Sequence, residues 1–153
     1  MRAQIDEQCV IKANSQFWEQ MLEMTLDPVP AIGEFCFAAR HVLGSVQLGG
    51  VWKGLIEVRM TETLAYQATA AMMMQPVDTV AEADALDAAK EIANMIAGTI
   101  KSSLPRPCTM TVPESAVEAE GFQGAARADD SLVVAFHHAS GDLMVRVWEQ
   151  ECP

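Results

Sequence analysis

Basic residues are scarce in this chain of 153 residues. Ten Lys and Arg stand against 21 Asp and Glu, which gives a formal net charge of −11. This charge argues against a nucleic-acid partner, because phosphate backbones are bound by clustered cations. An anionic membrane surface is disfavoured for the same reason. A protein partner that carries a basic patch remains compatible with the charge.

The chain also lacks a long apolar run, and the N-terminal residues Met1–Asp6 are polar rather than a signal sequence. Its cysteines are widely scattered, without a CxxC pair: Cys9, Cys36, Cys108 and Cys152. This spacing favours separate thiols in a reducing compartment over a disulfide framework. We therefore expect a soluble, acidic, cytoplasmic protein with one domain, residues 1–153.

Signals for metal and cofactor sites are missing as well. None of the three histidines, His41, His137 and His138, has a metal-ligand spacing with a cysteine or an acidic residue. No serine lies in a nucleophile elbow, and no glycine-rich phosphate loop precedes a helix. The expectation is that this chain binds no metal or cofactor of its own.

Apolar periodicity divides the chain into helices and strands. Helices are predicted at about Asp6 to Leu26, from Thr61, and from Thr79 or Ala83 to Ser103. Strands are predicted at Gly33–Arg40, Ser45–Leu48, Leu55–Met60, Cys108–Val112, Glu114–Glu120, Leu132–Phe136 and Leu143–Trp148. This order contains no βαβ repetition. It indicates an α+β domain with a mainly antiparallel sheet and long helices packed on one face.

The tryptophans and the methionine run invite specific interpretations. Trp52, at a predicted hairpin tip, is expected to be the most exposed of the three tryptophans. The run Met72–Met74 is interpreted as core packing plus one helix-end contact. The alternative is an adaptable binding surface, since thioethers pack against many shapes.

The predicted helix Ala83–Ser103 has one apolar face and one mostly polar face. At about 100° per residue, its core stripe holds Leu86, Ala89, Ala93, Ile96, Ala97, Ile100 and Leu104. The opposite face collects Asp87, Glu91, Asn94 and Gly98 at spacings of three and four. Such a face is usually only solvated surface, and Gly98 could equally mark an ordinary helix–helix crossing. Those alternatives stay open on periodicity alone.

The run from Asp87 through Glu91 to Asn94 resembles the signature of the CheC, CheX and FliY chemotaxis phosphatases. Its continuation to Gly98 is similar to that family, and so is the preceding unit with Gly50-Val-Trp-Lys-Gly54. CheC-type members carry two such motifs, whereas this chain has one, as CheX-like members do. The resemblance covers nearly the whole chain.

The resemblance implies a phosphatase that acts on the aspartyl phosphate of a CheY-like response regulator, with Mg²⁺ held by that partner. Asn94 would orient the attacking water, and Glu91 would contact the partner's active-site lysine. Asp87 and Gly98 would be docking residues at most. Family members often form homodimers that join sheets edge to edge, and the strand Leu143–Trp148 is a candidate edge.

Two other functions compete with this one. A non-catalytic module of the same fold would bind a response regulator or a flagellar switch component, and Asn94 would then tolerate replacement. An inactive structural subunit would bury the motif in a dimer contact.

Overall fold

A computed structural model describes residues 5–29, 34–37, 40–119, 122–125, 127–128 and 131–150. The helices in this part of the chain are α1 (Glu7–Leu22), α2 (Glu62–Met73) and α3 (Glu82–Lys101), with a 3-10 turn at Val77–Thr79. The strands are β1 (Asp27–Val29), β2 (Glu34–Phe37), β3 (His41–Gly50), β4 (Gly54–Thr61), β5 (Cys108–Met110), β6 (Glu114–Glu118), β7 (Phe122–Ala125), β8 (Arg127–Ala128), β9 (Ser131–His138) and β10 (Gly141–Glu149).

The main sheet is antiparallel throughout and runs in the order β1-β9-β10-β4-β3-β5. Two further strands extend it, because β6 also pairs with β3 and β8 pairs with β9. Strands β2 and β7 form a separate antiparallel pair. The predicted α+β class with an antiparallel sheet is therefore confirmed.

One face of the main sheet forms the core with the helices. Alternate residues of its central strands are buried in one cluster with α1, α2 and α3, among them Val42, Val46, Ile56, Val58, Met60, Leu143, Val145 and Val147. This alternation is what a pleated strand requires when one side faces an apolar layer. In the part of the chain that is described, no helix is both long and apolar enough to cross a membrane.

Helix α3 lies directly on β3 at Gly44. A Cβ atom added to Gly44 would lie 2.3 Å from the carbonyl oxygen of Ala89 and 3.1 Å from the Cβ of Ala93. Only a glycine in the strand, facing alanines in the helix, allows the two backbones to come this close. This contact sets the depth at which α3 sits on the sheet.

The opposite face of β4 buries charge rather than apolar side chains. Glu57 lies 3.4 Å from Arg59 and also accepts a hydrogen bond from Arg146. Burial lowers the pKa of Arg59, and Glu57 opposes that shift. Arg59 Nη1 lies 2.8 Å from His41 Nε2. Because arginine can only donate, this ring nitrogen accepts. Pairing with Glu57 offsets the cost of burying the charge of Arg59.

The expected dimer edge is wrong. The strand Leu143–Trp148 lies within β10, which pairs with β9 on one side and with β4 on the other. A strand with both sides paired has no free backbone groups to offer a second chain. The sequence showed strong alternation, but alternation reports which face is buried and not the place of a strand in the sheet. The homodimer itself stays a prediction.

The expected exposure of Trp52 is also wrong, because this side chain is 4% exposed. Its ring packs over Gly54, where a Cβ atom would lie 2.3 Å from the ring carbon Cη2. Tight packing against a glycine backbone buries the indole at the hairpin.

Thr61 occupies the N-cap position of α2 without a side-chain cap. Its Oγ1 instead accepts a hydrogen bond from the backbone N–H of Asp142 at 2.9 Å. The threonine therefore ties the start of α2 to β10.

Other predicted elements differ from the structure mainly at their ends. Helix α1 stops at Leu22 rather than Leu26, β3 begins at His41 rather than Ser45, and α3 spans Glu82–Lys101. Cys9 and Cys108 are free thiols. Cys152 and the side chain of Cys36 lie outside what the structure describes.

We expect Gly44→Ala to lower the free energy of unfolding by about 3 kcal/mol, since a methyl group there meets helix backbone that cannot rotate away. Chemical denaturation would measure this. The control is Gly49→Ala on the same strand, where a Cβ would come no closer than 3.8 Å to its nearest neighbour, Thr109 Oγ1. An equal loss in both variants would contradict the assigned contact.

Candidate functional site

The candidate site lies along the outer face of α3, and the helix is well formed at its start. The backbone N–H of Ala81, the N-cap residue, donates to the Asp84 carboxylate at 3.0 Å. Acidic residues occupy the first turn and Lys101 the last, which suits the helix dipole at both ends. The residues between them are therefore held on a regular helix.

The inward face of α3 is built mostly from small residues. The buried set is Ala85, Ala88, Ala89, Ile92, Ala93, Ile96, Ala97 and Ile100. Every residue of the predicted core stripe that lies in α3 is buried except Leu86, which is half-buried. Ala85, Ala88 and Ile92 are buried in addition. Small inward residues let α3 approach the sheet closely, so its outer face is fixed by backbone packing.

All four residues predicted for the site lie together on the outer face. Asp87 and Glu91 are exposed, while Asn94 and Gly98 are half-buried. Steps of four, three and four residues place them in one row along the helix. A partner that lies along this face would therefore meet a carboxylate, an amide and then a position without a side chain.

Glu91 and Asn94 have no bonding role inside the described part of the molecule. Neither side chain makes a hydrogen bond or an ion pair with any residue that the structure describes. By contrast, Glu62 and Glu82 both form ion pairs with Arg40. The hydrogen bond that Arg40 donates to Glu62 raises the pKa of Arg40. The two α3 side chains are thus available to an external partner.

Gly98 is not a helix crossing. A Cβ atom added there would have no heavy atom within 4 Å outside the local helix backbone. The residue borders two grooves, one shared with Lys12 and Gln16 of α1 and one shared with Arg106 and Pro107. Since glycine costs about 1 kcal/mol inside a helix, and the fold itself does not require it, the residue fits close approach by another molecule.

A cleft of about 510 Å³ opens beside Glu91. Its lining residues come from the ends of α1 and α2 and from α3: Phe17, Met21, Leu22, Glu23, Ala71, Met72, Met74, Glu91 and Met95. Sequence reasoning did not assign this cleft to the site. The sequence signal for it was the run Met72–Met74, of which Met72 and Met74 line the cleft. Met73 and Met74 are 46% and 92% exposed. The expectation of core packing plus one contact holds for Met72 alone.

Among the described residues, no group of three His, Cys, Asp or Glu side chains is placed to hold a metal ion. The expectation that Mg²⁺ belongs to the partner stays a prediction. What α3 offers chemically is an amide that both donates and accepts hydrogen bonds, one turn from a carboxylate that accepts them.

A family model described as chemotaxis phosphatase CheX matches residues 42–137. This segment includes the β3–β4 hairpin, α2, the whole of α3 and the first strands that follow it. None of the curated proteins matches this chain significantly.

Solved structures of that family share the fold. A CheC-like protein from Shewanella sp. PV-4 aligns with a TM-score of 0.77 at 18% identity over 99% of this chain and 100% of its own. Chemotaxis protein CheX from Vibrio vulnificus aligns with a TM-score of 0.76 at 17% identity over 98% of this chain and 100% of its own.

A third structure contains a bound partner. It is the complex of CheX with CheY, BeF3 and Mg²⁺ from Borrelia burgdorferi, with a TM-score of 0.65 and 17% identity. The alignment covers 94% of this chain and 97% of that one. At these identities the likeness shows the fold.

We expect Gly98→Ala to raise the free energy of unfolding by about 1 kcal/mol, because alanine is the better helix former and the added methyl group meets open space. Thermal or chemical denaturation would measure the gain. A loss of stability would show that Gly98 is needed for packing within the domain.

Proposed function

This chain belongs to the CheX family of chemotaxis phosphatases, and on that premise we propose that it hydrolyses the aspartyl phosphate of a CheY-like response regulator. The single observation that supports this is the pair Glu91 and Asn94, one turn apart on an outer helical face and without bonding roles among the described residues. The Borrelia burgdorferi complex of CheX with CheY supports a partner of the same type.

The proposed reaction is a transfer of the phosphoryl group to water. Water attacks phosphorus, the bond from phosphorus to the aspartyl oxygen breaks, and the products are inorganic phosphate, the free aspartate carboxylate and a proton. An acyl phosphate has a good leaving group, so the catalyst's main task is to hold the water in line. Mg²⁺ on the receiver would neutralise charge on the phosphoryl oxygens.

Asn94 is the residue proposed to hold the water. Its amide oxygen accepts a hydrogen bond from the water while its NH₂ group donates one to a neighbouring oxygen. An amide also brings no negative charge next to the phosphoryl group, as a carboxylate would. The half-buried Asn94 lies on the rigid helix rather than on a loop, which fits a positioning task.

Glu91 is proposed to dock the helix by accepting hydrogen bonds from the receiver's active-site lysine. A charged pair at the edge of a site from which water is excluded contributes to affinity and fixes the orientation of the docked partner. Asp87 and Gly98 are docking residues in this proposal. Asp87 adds negative charge one turn before Glu91, and Gly98 provides clearance one turn after Asn94.

We expect Asn94→Ala to lower kcat by about 100-fold, the scale of loss when a reacting group is no longer oriented. Binding to a Mg²⁺- and beryllofluoride-activated receiver should change little, because docking is assigned to other residues. Loss of acyl phosphate from a phosphorylated receiver would be followed over time. If Asn94→Ala turns over at the parental rate, the assigned role of Asn94 is wrong. If the wild type binds receivers without accelerating hydrolysis, the non-catalytic module becomes the better account.

Replacement of Glu91 has a different signature. Glu91→Ala should raise KM about tenfold, the loss of one charged hydrogen bond, and should lower kcat as well because Asn94 is then less well placed. Steady-state kinetics would separate the two effects. Glu19→Ala removes an exposed carboxylate from α1 and is the control, with kinetics expected to match the wild type. Equal losses in both variants would indicate a general charge effect instead of a specific pair.

A further inference from the structure

Helices α1 and α2 end in the same uncommon way at the cleft beside Glu91. Each has its C-cap in the left-handed conformation, Glu23 with φ 53° and Met74 with φ 54°. Within the described ranges these are the two non-glycine residues with positive φ. Both line the cleft together with Glu91.

This conformation is costly for a residue with a side chain. The left-handed region costs about 1 kcal/mol or more for ordinary L-residues, and helices that end in this way usually place glycine there. Met74 gains little from the fold in return, because it is 92% exposed. A glycine at position 74 would make the isolated domain more stable. The methionine side chain is therefore better explained by contact with another molecule.

Exposed apolar side chains are concentrated at the same end of the molecule. Met21 is 58% exposed, Met73 46% and Val77 39%, and all lie beside Met74 or share a groove with it. Flexible thioethers of this kind fit varied partner shapes. A cluster of exposed apolar side chains next to a binding face is typical of an interaction surface.

We infer that this cleft is the apolar half of the docking surface for the response regulator, and that it determines which receivers are accepted. The inference rests on the proposed function. In it, an apolar side chain of the receiver inserts between Met21, Met72, Met74 and Met95, next to the lysine that Glu91 binds. Glu23 accepts a second basic side chain of the receiver.

Continuity and charge identify this occupant. Glu91 lines the cleft, so a receiver that docks on the outer face of α3 at Glu91 lies next to the cleft. The lining residues include two carboxylates and no Lys or Arg. A complementary surface is therefore apolar with basic side chains at its border, in agreement with the net charge of −11.

The test uses Met74→Gly, which removes the side chain and also the steric strain of the left-handed backbone conformation. Stability should stay equal or rise, so a failure to fold would not obscure the result. KM for the phosphorylated receiver should rise about tenfold with kcat within twofold, from the loss of one buried methionine contact. Affinity for the receiver activated with Mg²⁺ and beryllofluoride should fall by the same factor.

Two matched variants complete the experiment. Met74→Leu keeps an apolar side chain and should restore binding to within about threefold of the wild type. Val112→Ser removes an apolar side chain that is 83% exposed away from this cleft, and should change neither parameter. The probes are the receiver domains encoded in the same genome, each measured for binding and for hydrolysis.

The possible outcomes distinguish the cleft assignment from the phosphatase proposal. Unchanged binding and KM in Met74→Gly would overturn the cleft assignment and leave the phosphatase proposal standing. Binding by the wild type that is weakened in Met74→Gly, without any hydrolysis, would support the cleft and overturn the phosphatase. Absence of binding to every receiver would overturn both. Loss of self-association in Met74→Gly, with receiver binding intact, would identify a second copy as the occupant and overturn the cleft assignment.

Discussion

The packing of α3 on β3, through Gly44 and the alanines opposite it, is the contact on which the rest of the structure depends. With strand and helix backbones this close at Gly44, α3 cannot roll without bringing side chains larger than alanine against the strand. The rotation of the helix is therefore fixed, and with it the outward direction of Glu91 and Asn94. A site of two side chains on one helix needs such support, because a small rotation would misplace the water that Asn94 is proposed to hold.

The described carboxylates fall into a paired group and an unpaired group. Some carboxylates are paired within the fold: Glu57 with two arginines on the far face of the sheet, and Glu62 and Glu82 with Arg40. The carboxylate of Glu91 has no such pairing among the described residues. Buried pairs add little net stability but are costly to break, whereas an exposed carboxylate costs almost nothing to leave free. Lack of a partner alone does not single out Glu91, since the exposed Glu19 is unpaired among the described residues as well. What distinguishes the candidate docking face is that Glu91 lies one turn from Asn94 on the outer face of α3.

Periodicity predicted the two faces of α3 because a helix packed on a sheet buries one stripe, and buried residues recur at helical spacing from Ala89 to Ile100. The same reasoning missed the start of β3, since a buried His41 paired with Arg59 does not look apolar. It placed Trp52 outside because a hairpin tip gives no sign that its neighbour Gly54 will accept an indole ring. It could not place β10 in the middle of the sheet, because strand order depends on contacts between distant segments. The caps at Glu23 and Met74 were hidden for a further reason, since the usual signal for a left-handed cap is glycine.

The convergence of the α1 and α2 ends on one cleft has a consequence for how this domain can diversify. The proposed catalytic pair belongs to a helix held by the sheet, whereas the cleft rim belongs largely to the ends of two other helices. Duplicated copies of such a domain could therefore acquire new receivers by altering a few terminal residues while inheriting the same chemistry. Pathways that use phosphatases of the same fold would then not act on each other's receivers, because these helix ends would differ between them.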